Sequence, residues 1–389
     1  MLAVCQSVPP RAFTLMQRHL WIAIIAIVGI AIIVVIGYRL QVQPGASIKA
    51  PIKIGVSLPL SGDSAIIGKE NLNGIALAVE AINRAGGVAG RPLELVVKDD
   101  QMDDKETIAQ YRQFTKIDGI KYVLTNTYGG FLALAKQTEA DGTILIDSLD
   151  ASEELANQGQ NAFAIGLYDE SIGQALAKHL NDQQVTEVAV IANKEDPFIQ
   201  LTLDALTKAY RGKTQIESYT FATNDFRTLL TKLHGYDRIV LLGWQETGRI
   251  VKQAHELNLR SQFFGIDTFA SKSWRENTGG HYDGLVFTFW AGSVANPDYV
   301  EFLRAYQVKF SQEPENVLYA ATGYDAVRVL ASALERCDDE VACVSQALRT
   351  KIKAFPGASG AITIDSDGIT RSMRETMFIY RQGQIVELK

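Results

Sequence analysis

Twice along this chain, short β-branched runs alternate with segments of helical period, and that rhythm restricts the fold more than any other feature. The first set of runs covers 52–58, 93–98, 121–124 and 143–147; the second covers 188–192, 215–219, 238–242 and 262–265. Between the first two, Leu72, Ile75, Val79 and Ile82 fall at i, i+3, i+7 and i+10, so 69–84 is expected to bury one helical stripe, stopped by Gly86-Gly87. Asp103 and Glu106 have capping-box spacing and open the next helix. Strand–helix alternation produces parallel sheets covered by helices on both faces. The roughly 340 residues beyond Ala50 exceed what one ordinary core holds. Two runs of similar size therefore imply two doubly wound, Rossmann-like α/β lobes. The tail departs from the rhythm, with helices expected over 297–310, 319–335 and 340–353, then strands at 361–364, 375–380 and 384–387. In open α/β sheets ligands sit beyond the carboxyl ends of the strands, so the loops there carry the function.

Upstream, residues 20–38 read LWIAIIAIVGIAIIVVIGY, an uncharged stretch close to the ~20 residues a helix needs to cross the hydrocarbon core. Apolar side chains on every face, with Trp21 and Tyr38 at interface depths, fit a membrane span better than a core helix. The run is longer than the roughly 7 to 15 apolar residues of a secretory signal. Pro44-Gly45-Ala46 is also a poor cleavage site. An uncleaved anchor is expected, with a cleaved signal peptide as the alternative. Residues 1–19 would be a cytoplasmic tail and 39–51 a linker, placing the large domain outside the cytoplasm at the cell membrane. Met16 is an alternative start, and Cys5 is no lipidation signal because no apolar region precedes it.

Cys337 and Cys343 lie far beyond the span, as expected if the large domain meets an oxidising compartment. On one continuous helix they would stand about 9 Å apart along the axis, too far to bridge. A disulfide between them needs a break, which Asp338-Asp339 would supply as a helix N-cap, so a Cys337–Cys343 bond is expected.

Charge and motifs exclude several functions. Of 38 basic residues four precede Ala50, leaving 34 against 44 acidic ones beyond it, so nucleic acid is not an expected partner. The five histidines are isolated, and no Walker loop, GxGxxG or GxSxG occurs. The acidic stretch 99–104 lacks the glycine and terminal glutamate of a calcium loop and is expected to cap a helix. Asp365-Ser366-Asp367-Gly368 is expected to be a hairpin turn with Gly368 at positive φ. Neither a metal, a cofactor nor a catalytic residue is expected.

The segment IKIGVSLPLSGDSAIIGKENLNGIALAVEAINRAGGVAGRPLELVVKDDQMDD (52–104) resembles the type I periplasmic solute-binding proteins of the Leu/Ile/Val-binding family. DGIKYVL (118–124), SLDASEEL (148–155), GYDAVRVLASAL (323–334) and GASGAITIDSDG (357–368) extend the resemblance over essentially all of 52–389. It implies a hinged, two-lobed receptor that captures a small solute in its cleft for the permease of an ABC importer and works as a monomer. One lobe would comprise 52–168 with 289–360, the other 169–288 with 361–389. Amino-acid binders of this family hold the carboxylate with a serine after the third strand and a threonine after the fourth, and the ammonium with an acid of the second lobe. Here the first segment is Tyr128-Gly129-Gly130 and the second Asp150-Ala151-Ser152. The two hydroxyls are replaced by Gly129 and Ala151, unless a one-residue gap moves Ser152 into the second role. Backbone N–H groups of Gly129 and Gly130 could still hold an oxygen. The acid is kept in Gly265-Ile266-Asp267, whose other reading is a cap for the 270–274 turn.

Tyr128, Tyr168, Phe198, Trp244 and Trp290 each follow an expected strand and are the aromatic candidates for the cleft, Trp244 standing where the family has a ligand-touching aromatic. Asp147, Asp150 and Asp267 together would make the cleft acidic, which favours an amine- or amide-bearing solute over a plain branched-chain amino acid. A ligand-sensing receptor module of the same fold, signalling through a partner, is the alternative; an enzyme lacks a nucleophile–base pair.

Overall fold

The computed structural model describes residues 50–62, 64–290, 292 and 295–388. The apolar run at 20–38 and Cys5 lie outside the described residues. Among the described residues, no helix is long and apolar enough to cross a membrane.

The chain opens with β1 (Ile52–Leu58), α1 (Ala65–Arg84), β2 (Leu93–Asp99), α2 (Asp104–Arg112), β3 (Tyr122–Thr125), α3 (Tyr128–Ala135), α4 (Thr138–Asp141) and β4 (Ile144–Asp147). Three short strands follow: β5 (Asp150–Ala151), β6 (Ala162–Ala164) and β7 (Leu167–Tyr168). Five of these strands form a parallel sheet ordered β2-β1-β3-β4-β6. Every residue of β1 except Lys53 is buried, the mark of a strand covered on both faces. The Asp103 carboxylate accepts from the N–H groups of Lys105 and Glu106 and caps α2. The N–H of Gly87 reaches the carbonyl of Ile82 and ends α1, in line with the glycine pair read from the sequence.

The second sheet is built from β8 (Glu187–Asn193), β9 (Lys213–Tyr219), β10 (Arg238–Leu242), β11 (Gln262–Gly265) and β12 (Val286–Phe289). Its helices are α5 (Glu170–Asp182), α6 (Pro197–Ala209), α7 (Arg227–Lys232), α8 (Thr247–Glu256) and α9 (Lys272–Asn277). These five strands are parallel in the order β9-β8-β10-β11-β12, repeating the topology of the first sheet.

Helices α10 (Pro297–Phe310), α11 (Val317–Leu334) and α12 (Val341–Lys351) come next, then the hairpin β13 (Phe355–Gly357) and β14 (Gly360–Ile362). The antiparallel pair β15 (Thr376–Arg381) and β16 (Gln384–Glu387) returns to extend the second sheet beyond β12. One apolar core joins β1 and β4 to α1, α11 and α12. Helices α1 and α11 touch through glycines: a Cβ on Gly74 would stand 1.9 Å from the Ala320 carbonyl oxygen, and one on Gly323 2.3 Å from that of Asn71. The opposite face of the first sheet packs Val123 and Leu145 on Tyr111, Phe114 and Phe131. The second sheet has its own two cores, with α5 and α6 on one face and α8 and α9 on the other.

Cys337 and Cys343 are disulfide-bonded, their Cα atoms 5.5 Å apart. The break between them differs from the expected one. Asp338 and Asp339 both adopt left-handed backbone, φ 43° and 69°, and cap nothing. The cap of α12 is Glu340, whose carboxylate accepts from the N–H groups of Ala342 and Cys343. Asp339 is drawn instead to Arg91, at 2.9 Å, and to the Tyr122 hydroxyl, at 2.7 Å. The turn at Gly368 is as expected: φ is 91°, and its N–H donates to the Asp365 carbonyl.

Three segments pass between the sheets: after β7, after β12 and ahead of β15. The first and third run side by side. The Thr370 hydroxyl donates to the Gly166 carbonyl, the Tyr168 N–H to the Met373 carbonyl and the Glu375 N–H to the Ser171 hydroxyl, all at 3.0–3.1 Å.

Candidate functional site

The strand order of each sheet reverses once, between β1 and β3 and between β8 and β10, and the carboxyl ends beside these switch points are where an open α/β sheet receives ligands. In the first lobe, Tyr128 opens α3, and its hydroxyl lies 2.7 Å from the Ser152 hydroxyl and 2.9 Å from the Glu154 carboxylate. Ser152 is thus already engaged. Gly129 and Gly130 press against α2, where a Cβ would stand 2.2 Å from an Asp104 oxygen or 2.7 Å from the Thr107 methyl group. Their lack of a side chain lets the two helices meet. Asp147, the last residue of β4, takes the N–H groups of Leu149 and Asp150 on Oδ1, both at 2.9 Å, while its buried Oδ2 has no partner. Asp150 and Ala151 form β5 and pair with Leu167 and Tyr168 of β7. Ala151 is core; Tyr168 ends a strand rather than following one, and its hydroxyl donates to Glu153 at 2.8 Å.

In the second lobe, a single carboxylate organises the aromatic pair. Asp196 caps α6 by accepting from the N–H groups of Phe198 and Ile199, and its other oxygen takes the Trp244 indole N–H at 2.6 Å. Phe198 and Trp244 stack with centroids 5.5 Å apart. Trp290 stands edge-on to Tyr299, 5.9 Å away, and packs into apolar clusters of both lobes. Asp267 begins a single turn directly after β11. The Tyr319 hydroxyl, from the first turn of α11, donates to its Oδ2 at 3.5 Å, and its Oδ1 has no partner. The cap of α9 is Ser271, so Asp267 does not perform the capping role open to it in the sequence.

Several further buried polar groups stand at strand ends or in the crossing segments, none of them singled out in the sequence. Asn126, just past β3, is buried with neither side-chain polar atom bonded, and the Asn193 Nδ2 at the end of β8 is likewise unpartnered. Both follow the rule that polar residues beyond strand ends face ligands, and that rule could have found them. Asp169 and Glu375 come from the first and third crossing segments. Both oxygens of each are buried and unbonded, with the Thr288 hydroxyl facing Glu375.

These carboxylates act on one another. Burial pushes Asp147 up to about 7 and Asp267 up to about 6. Burial, then Asp147 and Asp267, raises Asp150 well above the ordinary carboxylate range. Asp169 is raised by burial and by Asp150, Glu170, Asp147 and Glu375, and Glu375 by burial and Asp267. Among the described residues no lysine, arginine or histidine offsets any of the five, and no cluster of metal-ligating side chains occurs. A cation at such a site favours the ionised acids, whereas a carboxylate would add one more uncompensated negative charge.

A family model described as "Periplasmic binding protein" matches residues 51–384. Leu/Ile/Val-binding protein homolog 1 of Brucella suis is 26% identical over 366 residues, covering 91% of this chain and 95% of its own. The Leu/Ile/Val-binding protein of Escherichia coli K12 is 27% identical, covering 82% and 87%. Among solved structures, the branched-chain amino acid transporter substrate-binding protein of Streptococcus pneumoniae, in complex with isoleucine, superposes with a TM-score of 0.76 at 24% identity, over 86% of this chain and 97% of that one. A solute-binding protein of R. palustris, in complex with benzoate, gives 0.72 at 17%, over 87% and 95%. Two doubly wound sheets joined by three crossings, with a match across nearly all of the described chain, place this protein in the periplasmic binding protein family, with the type I fold.

Proposed function

We propose that this chain is an extracytoplasmic solute-binding protein that captures a small amino-acid-like, amide or amine solute between its lobes for the permease of an ABC importer. The observation that carries this reading is the set of buried, unpartnered polar atoms at strand ends of both sheets: Asn126 and Asp147 in one, Asn193 and Asp267 in the other. Leaving such a group unbonded costs about 1–3 kcal/mol, a cost removed when a ligand supplies the partner. The lobes, 52–168 with 289–360 and 169–288 with 361–389, would close about the three crossing segments, and the closed form is what a permease would recognise. The span at 20–38 would hold the monomer at the membrane.

The names of the relatives point to branched-chain amino acids, and the residues of this cleft point away from them. No hydroxyl stands at Gly129 or Ala151, Ser152 is bonded to Tyr128, and Asp147 and Asp150 adjoin the place a carboxylate would occupy. A thermal-shift screen of the full chain against amino acids, amides, amines and small carboxylates tests the proposal, since a ligand bound by the folded state alone raises the melting temperature. An amine or amide should raise it, and Asp267→Ala should abolish the shift. Micromolar binding of leucine or valine would overturn the solute class, and a folded chain that responds to no small solute would overturn solute capture.

A further inference from the structure

We infer that the solute carries at least two positively charged nitrogens and no free carboxylate: a diamine or longer polyamine, with one ammonium beside Asp150 of the first lobe and another beside Asp267 and Glu375 of the second. This rests on the solute-binding reading above and supplies its chemistry. Among these five acids, six buried oxygens have no hydrogen-bond partner: Asp147 Oδ2, both of Asp169, Asp267 Oδ1 and both of Glu375. A single ammonium offers three N–H donors, too few for six oxygens, and one positive charge cannot offset a group of five carboxylates. Two ammonium groups supply the donors and spread the charge. The acids also lie in two sets, Asp147 at the end of β4 with Asp150 in β5, and Asp267 just past β11 with Glu375 just ahead of β15, while Asp169 stands in the first crossing segment. A ligand with separated charges answers that division better than a compact one.

The remaining charged or titratable neighbours do not supply the missing cation. Tyr319 donates one long bond to Asp267. Glu170 adds a further acid near Asp169, and Arg371, which moderates Glu170, is itself bound by Glu153, Asp365 and Asp367. A bare metal ion is disfavoured by the absence, among the described residues, of three ligating groups around one point. Because buried acids must release protons when an ammonium binds, diamine affinity should strengthen from pH 6 to pH 8.

Calorimetry on the full chain at pH 8, after denaturation and refolding to strip any copurified ligand, would compare 1,4-diaminobutane, spermidine, n-butylamine, leucine and calcium chloride. The diamine or spermidine should bind roughly 100-fold more tightly than butylamine. Asp267→Asn and Asp150→Asn should each weaken that binding by a similar factor while the melting temperature of the ligand-free protein holds or rises, which a merely structural role would not produce. Glu375→Gln provides the same comparison should either variant fail to fold. Equal affinity for butylamine and the diamine, or binding of calcium alone, would overturn the inference. Tight leucine binding would overturn it and leave solute capture standing, whereas silence across this panel and the wider screen would remove both.

Discussion

Asp147 and Asp267 are buried without a counter-charge, and their protons follow from that. Held up to about 7 and about 6, both stay protonated in the folded chain at pH values where an unfolded aspartate, near 4, has already ionised. The folded state therefore binds more protons than the unfolded one between about pH 4 and pH 7, and stability falls as pH rises through that window. The ligand-free protein should melt at a higher temperature at pH 5.5 than at pH 8; differential scanning calorimetry showing the reverse would refute this. Glu153, lowered to about 2 by Arg371, acts in the opposite sense only below about pH 4, outside the comparison. At this scale the buried place of Asp267 was legible, because an acid just past the carboxyl end of a parallel strand stands at the edge where such sheets receive ligands. Asp169 and Glu375 were not. Their positions depend on how the crossing segments pair, a relation between residues some two hundred apart that no local pattern carries.

At the scale of elements, strands and helix caps were read closely where one short-range cause decides them. The runs 52–58, 238–242 and 262–265 match the strands because strands buried on both faces read as short, mostly apolar runs. The cap of α12 was misplaced because Asp338 and Asp339 have the right chemistry, whereas backbone conformation selects Glu340. Gly129 and Gly130 illustrate a similar limit: their closeness to α2 is a packing fact that two adjacent glycines do not announce. Asp196 couples an element end to the cleft, since it caps α6 and holds Trp244. Asp196→Ala should destabilise the chain by about 1 kcal/mol in urea unfolding and shift the tryptophan emission. Asp196→Ser should restore most of the stability, as a competent cap, without restoring the emission; full recovery of both would show that the indole contact is incidental.

For the whole molecule, the two-lobe plan was visible in the repeated alternation, whereas the crossings came only from the family resemblance, because they belong to neither repeat. Backbone and hydroxyl bonds tie the first crossing segment to the third, so any closure of the lobes would bend them together. The Cys337–Cys343 bridge closes a short loop away from this axis. Chain-entropy arithmetic assigns such a loop about 2 kcal/mol. Cys337→Ser with Cys343→Ser should lower the urea-unfolding free energy by about that amount and leave solute affinity unchanged; a loss of affinity would mean the loop is coupled to the cleft. The bridge follows the last turn of α11, while Tyr319, which reaches Asp267, lies in its first, so the helix sets them about 22 Å apart. With Cys5 the one other cysteine, the bridge is a chemical handle: reduced and re-spanned by a dithiol-selective spin label, it would mark one lobe as a fixed origin from which opening of the other can be read as a distance.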